Sequence, residues 1–195
     1  MANVQHNPAT QNISGNVGNL RFRKRRDGTF SVSHIPERRS TPPTAAQTAV
    51  KERFAKAGAY ATRALALPEV RAAYEKLAER EDLTPRSAAV RDWFRPPSVV
   101  EIVLDGYTGL PGSVIEVLAR DDARVESVTV TLRRKSDDSV IEAGPAAFVA
   151  GAWAYQATQA VPAGEAVVVE AKAKDRPGNT GELTAEWPLE GGVAP

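Results

Sequence analysis

The sequence predicts an α+β protein in three stretches: a basic β arm, a block of about three short helices, and an all-β half. Three observations predict it. An Asp-Gly pair (Asp27-Gly28) sits between two runs with β character, a helical apolar period occupies Thr44 to Phe94, and strand-like alternation recurs about seven times after Val99. Charge follows the same division: residues 1–98 hold 17 Lys and Arg against 9 Asp and Glu, and residues 99–195 hold 8 against 15. A net charge of +1 therefore joins a half at +8 (17 less 9) to a half at −7 (8 less 15). Such asymmetry favours an anionic partner for the first half, or contact between one copy's first half and another copy's second.

Residues 1–43 read as an arm. Asn, Gln, Gly and Ser dominate through Asn19, and Gly15 and Gly18 argue against a helix or strand there. Leu20-Arg21-Phe22-Arg23-Lys24-Arg25-Arg26 then meets Asp27-Gly28 and Thr29-Phe30-Ser31-Val32-Ser33. An Asp-Gly pair favours a tight turn because both central positions take positive φ, so a basic hairpin is expected. Alone in water two strands are marginal, and the hairpin needs something to pack on. Ser40-Thr41-Pro42-Pro43 reads as a linker.

Residues 44–95 read as helical. Thr44-Ala45-Ala46-Gln47 has capping-box spacing, and Val50, Phe54, Ala57, Ala61 and Leu65 follow at three and four residue intervals up to Leu67-Pro68. Val70, Ala73, Tyr74, Leu77 and Ala78 mark a second helix to about Glu81. Thr84-Pro85 offers an N-cap with proline at the first helical position, opening a third that carries Val90, Trp93 and Phe94. So few large apolar residues bury little, so the block is expected to lean on the hairpin, the following stretch or another subunit.

Residues 96–190 read as strands, with 191–195 a tail. The alternating sets are Ile102 and Leu104; Ile115, Val117 and Ala119; Val128, Val130 and Leu132; a short Ser139 to Glu142; Trp153, Tyr155 and Ala157; Val167 to Ala173; and Leu183, Ala185 and Trp187. Asp-, Gly- and Pro-containing turns separate them. Seven short alternating strands in about ninety residues is the pattern of an immunoglobulin-like β-sandwich, with Trp153, Tyr155 and Trp187 expected in its core. The run Ala173-Lys174-Asp175-Arg176-Pro177-Gly178-Asn179-Thr180, with Trp153-Ala154-Tyr155 and the Val125 to Leu132 strand, resembles bacterial immunoglobulin-like modules over most of residues 99–189. That resemblance implies a fold rather than an activity. Such modules commonly serve as spacers, adhesive units or decorations of cell surfaces and phage particles. The intersheet cysteine pair of antibody-type domains is missing. The Gly15 to Phe22 stretch resembles the start of some uncharacterised bacterial proteins, a likeness that implies no function.

Catalysis has little to work with. The chain has no cysteine, which excludes thiol chemistry, and only two histidines, His6 and His34, neither beside a nucleophile motif. Gly109-Leu110-Pro111-Gly112-Ser113 lacks the lysine of a phosphate loop and reads as a strand connection, as does Asp137-Asp138. In a seven-strand sandwich the loops after the second and sixth strands share an end, which would gather Asp121, Asp122, Asp175 and Asn179. Four oxygen donors begin a calcium shell, although six to eight are usual; the competing reading is that these residues cap their own turns. Met1 to Thr10 shows no basic region followed by an apolar one, and no stretch approaches a membrane span. The expectation is a cytoplasmic protein, or an extracellular, particle-associated one exported by a non-classical route.

The arm carries the main functional choice. Strand alternation puts Arg21, Arg23 and Arg25 on one face and Phe22, Lys24 and Arg26 on the other. Those arginines, with Phe22 and Phe30 as apolar anchors, suit docking onto the acidic half of a neighbouring copy. The leading expectation is a non-enzymatic, self-assembling subunit, a homo-oligomer in a bacterial filament, surface layer or phage-like particle. The alternative is a nucleic-acid-binding ribbon, opposed by the acidic second half and a pI near 8.0. An adhesion module with exposed aromatic residues on the sandwich is the third.

Overall fold

The computed structural model describes residues 2–4, 14–25, 28–37 and 41–188, the first three by backbone alone. The chain divides into two compact units, Met1–Thr48 and Ala49–Pro195.

The first unit is a four-stranded antiparallel sheet built from β1 (Ala2–Val4), β2 (Gly15–Val17), β3 (Leu20–Lys24) and β4 (Phe30–His34), in the order β1-β4-β3-β2. The expected hairpin is β3 and β4, paired from Leu20↔His34 to Lys24↔Phe30. Its loop is one residue longer than a two-residue turn: Arg25 N–H donates to the Thr29 carbonyl (2.7 Å) and Gly28 N–H to the Arg25 carbonyl (3.1 Å), with Gly28 at φ 81°. That is the three-residue class, in which glycine supplies the left-handed position. Arg26 and Asp27 lie outside the described residues. The glycines expected to exclude a strand before Leu20 instead delimit one. Gly18, at φ 58°, opens the two-residue loop that pairs Val17 with Leu20.

Three helices follow: α1 (Ala45–Ala64), α2 (Pro68–Arg80) and α3 (Pro85–Phe94). The capping box is reciprocal, with Thr44 N–H donating to Gln47 Oε1 (3.1 Å) and Gln47 N–H to Thr44 Oγ1 (3.3 Å). Thr84 Oγ1 caps α3 by accepting from Ser87 N–H (3.1 Å). The helices meet through small residues. Ala61 and Ala64 of α1, Tyr74, Leu77 and Ala78 of α2, and Ala88 and Ala89 of α3 form their core. Two expectations fail here. Val50 and Phe54 are 54% and 56% exposed, because the first half of α1 buries no side chain, and α3 buries Ala88, Ala89 and Asp92 rather than Val90, Trp93 and Phe94.

Seven strands complete the second unit: β5 (Ser98–Val103), β6 (Val114–Arg120), β7 (Val125–Arg134), β8 (Val140–Val149), β9 (Ala152–Gln156), β10 (Val167–Asp175) and β11 (Thr180–Trp187). All pairs are antiparallel, in the order β11-β10-β7-β8-β9-β6-β5. β8 is longer than its Ser139 to Glu142 pattern. Its first part pairs with β7 as far as Ala146, and Ala147 to Val149 pair with β9. Pro145, which has no N–H for the ladder, stands at that change of partner. The outermost strands β5 and β11 touch, so the sheet nearly closes. Inside lie Ile115, Val117, Val128, Val130, Leu132, Val167, Val169, Ala171 and Ala173, all fully buried. The helices lean on this sheet, Ala123 of the β6–β7 loop packing against their core. The protein is α+β, with a β-rich C-terminal part.

Candidate functional site

In the arm, partners across the ladder share a face. Phe22 opposes Val32, Lys24 opposes Phe30, and Leu20 opposes His34 on one side; Arg21 opposes Ser33 and Arg23 opposes Ser31 on the other. Arg21 Nε donates to Asn16 Oδ1 (3.1 Å), which fixes one arginine upright on the polar face, and Lys24 Nζ stands 6.0 Å from the Phe30 ring centre. The sheet is therefore two-sided, apolar on one face and basic on the other. No described arm residue is buried, and Val17 is 58% exposed. Arg25 sits in the loop between β3 and β4; Arg26 and His6 lie outside the described residues.

The four residues expected to gather around calcium are used otherwise. Asp122 takes Arg91 Nε at 3.2 Å and Arg95 Nη1 at 3.1 Å. Asp121 Oδ2 accepts from the N–H groups of Ala123 (3.1 Å) and Arg124 (2.8 Å). Asp175 Oδ1 accepts from Gly178 N–H (2.8 Å) and Asn179 N–H (2.6 Å), and Asn179 Nδ2 donates to Asp175 Oδ2 (2.7 Å) and the Trp93 carbonyl (3.2 Å). These are turn caps and a strut from strand to helix. Among the described residues no group of three or more His, Asp or Glu stands in metal-holding geometry.

What replaces the expected shell is a buried polar seam between helices and strands, which sequence reasoning missed. Asp92 of α3 is wholly buried, and its Oδ2 accepts from the Tyr74 hydroxyl (2.6 Å), which lies 2.6 Å from the Tyr60 hydroxyl of α1. Burial pushes Asp92 up to about 7, with the neighbouring Asp121 and Asp175 adding to the rise against the Tyr74 hydrogen bond. Burial likewise raises Asp175, Tyr60 and Tyr74. No sequence signal marked Asp92, because an Arg-Asp pair in a helix reads as solvated surface.

Two open clefts flank the seam. One, about 740 Å³, places Arg63, Lys174 and Arg176 around Leu67 and Val70; the other, about 470 Å³, sets Arg120 and Arg124 beside Phe148 and Trp153. Phe148 is 62% exposed and packs on Trp153 at 5.2 Å. Of the aromatics expected in the core, Tyr155 is buried, whereas Trp153 and Trp187 are partly buried against it. Asp137 Oδ1 caps its own turn by accepting from Ser139 N–H and Oγ, and His34 is exposed at the end of β4.

No family model and no curated protein sequence matches this chain. The crystal structure of an engineered protein is similar to it at 24% identity, covering 46% of this chain and 19% of that one, with a TM-score of 0.32. So low a score carries no argument about fold. Among the described residues no helix is long and apolar enough to cross a membrane.

Proposed function

We propose that the chain is a non-enzymatic structural subunit that assembles with copies of itself through its arm. The two-sided arm sheet carries this reading: Leu20, Phe22, Phe30 and Val32 on one face, Arg21 and Arg23 on the other, and no described residue buried. A sheet with one apolar face gains stability when another surface covers that face. The acidic half supplies a complement for the arginines. On the outer face of β5 and β6, Glu101 and Glu116 are exposed beside Leu118. Apolar contact would hold such an interface while charge sets its specificity.

The second unit fits the role of an immunoglobulin-like spacer. Within its single sheet the strand order β5-β6-β9-β8 followed by β7-β10-β11 is compatible with the ABED and CFG order of that sandwich, which supports the resemblance of the Ala173 to Thr180 run.

Light scattering and negative-stain electron microscopy of nuclease-treated protein test the proposal. Regular particles are expected for the native chain, and the Arg21→Glu, Arg23→Glu double variant should remain monomeric while keeping its thermal transition. Combining it with Glu101→Arg and Glu116→Arg should restore assembly. A native chain that stays monomeric, or a double variant that still assembles, overturns the reading. Steeply salt-dependent binding of DNA or RNA by that monomer would instead assign the basic face to phosphates.

A further inference from the structure

The larger of the two clefts has chemistry that assembly through the arm does not use. At about 740 Å³ it has the size of a small-molecule site, roughly 300–1,000 Å³, and helix and strand residues both line it. One wall is the end of α1, where Tyr60, Arg63, Ala64 and Leu67 recur at the spacing of a single helix face. The other carries Lys174 and Ser127, partners across the β10–β7 ladder that share a face.

The charges of this cleft do not balance. Its acids are both engaged: Glu126 is held by Arg176 (2.9 Å), and the two oxygens of Asp175 are taken by Gly178 and Asn179. Arg63 and Lys174 are exposed, and their side chains make no ion pair or hydrogen bond among the described residues. Two cations therefore stand beside an apolar floor of Leu67, 58% exposed, and Val70.

Tyr60 adds a directional group. Its hydroxyl lies 2.6 Å from that of Tyr74, which donates to Asp92 Oδ2 (2.6 Å). A phenol carries one proton, and that of Tyr74 is committed to the carboxylate, so the proton between the two tyrosines comes from Tyr60. The Tyr60 oxygen is left with lone pairs alone and meets a ligand as an acceptor. Asp92, wholly buried, anchors this chain of hydroxyls from behind.

We propose that the cleft binds a hydroxylated aliphatic carboxylate, its carboxylate on Arg63 and Lys174, its hydroxyl donating to Tyr60 and its chain on Leu67 and Val70. The unpaired cations select an anion. They also select a neutral donor for Tyr60, because an ammonium group there would be repelled by Arg63 and Lys174. The apolar floor selects a hydrocarbon body, since a polyhydroxylated one would leave its other hydroxyls unpaired. None of these residues belongs to the arm, so the site stands apart from self-assembly.

Titration of the full chain with α-hydroxyoctanoate, followed by amide chemical shifts, tests the site. At about pH 8, above the value of about 7 to which burial raises Asp92, the carboxylate is ionised and the hydroxyl chain has the stated direction. Saturable binding with a Kd of about 1 mM or tighter is expected, with shifts centred on residues 60–70 and 174–177. Octanoate, which lacks the hydroxyl, should bind about fivefold more weakly, and α-hydroxyoctanamide, which lacks the charge, at least about tenfold more weakly. Tyr60→Phe should reduce the hydroxy acid to the affinity of octanoate while leaving octanoate itself unchanged, a selective loss that a merely structural role would not produce. The Arg63→Ala, Lys174→Ala double variant, which alters exposed side chains alone, should weaken both acids at least about tenfold. Absence of saturation by ~10 mM, equal affinity for the three probes, or shifts centred on residues 119–125 of the other cleft overturns the proposal. An undiminished affinity in the double variant has the same force. Should Tyr60→Phe fail to fold, the comparison of the three probes on the native chain decides the matter.

Discussion

The two β regions of this chain follow one local rule and reach different ends. In the arm, Leu20 and Phe22 alternate with Arg21 and Arg23, yet no described side chain there is buried. In the second unit, β7 and β10 alternate in the same way, and Val128, Val130, Leu132, Val167, Val169, Ala171 and Ala173 are fully buried. The alternation decides which side chains share a face, and only a second apolar layer turns that face into a core. In the larger sheet β8 changes partners, β5 and β11 meet, and side chains of β6, β7, β9 and β10 share one core. Among its described residues the four-stranded arm shows no such closure.

The sharpest way to break the comparison is at the place where the larger sheet nearly closes. A Cβ at Gly181 would overlap the Pro97 carbonyl oxygen and crowd Ser98 Cα. Backbone cannot step aside as a flexible side chain can. Gly181→Val should force β5 and β11 apart and cost about 4 kcal/mol, above the usual overpacking range of roughly 1–3 kcal/mol because the obstacle is backbone. Urea denaturation of the variant measures it. A loss within ~1 kcal/mol would mean that the contact of β5 and β11 contributes little to the advantage of the larger sheet over the arm.

The comparison also explains what the sequence made legible. Most strands of the second unit announce themselves because apolar residues recur at every second position, Val, Ile and Leu in β6 and β7, Val and Ala in β10, Trp153 and Tyr155 in β9, and the capping residues Thr44, Gln47 and Thr84 mark helix starts whose hydrogen bonds are local. Features fixed by distant partners do not announce themselves. β2 hides behind Gly15 and Gly18, and the far half of β8 behind Gly144 and Pro145, residues that mark a bend rather than an end. Val50 and Phe54 fit the helical period, yet both stay more than half exposed, although the Phe54 ring lies 4.9 Å from that of Phe94. Asp92 is the extreme case. Its hydroxyl and carboxyl neighbours come from α2, the β6–β7 loop and β10, so nothing within a helical turn reveals that it is buried.

Matched truncations sharpen the contrast between covered and uncovered faces. Leu132→Ala removes a fully buried side chain from the core of the larger sheet and should cost about 3 kcal/mol, with a corresponding fall in the denaturation midpoint. Phe22→Ala removes a larger side chain from the arm. It should leave the midpoint of the second unit unchanged to within ~0.5 kcal/mol while reducing self-association. Equal losses from the two truncations would mean that the Phe22 face is covered within the monomer.

The helices offer the smallest and most local contrast, because they combine a thin alanine core with strong end signals. Thr84 Oγ1 accepts from Ser87 N–H (3.1 Å), Pro85 occupies the first helical position, and α3 is ten residues long. A helix of that length is not stable alone, so its cap matters only as far as tertiary packing already holds it. Thr84→Ala should cost about 1 kcal/mol, read as a shift in midpoint with unchanged slope. Amide exchange should quicken first at Ser87 and then along α3, while β7 and β10 keep their protection. If β7 and β10 lose protection in step with α3, helices and strands open as one cooperative unit. Separate loss would make α3 a unit that opens on its own while the sheet stays closed.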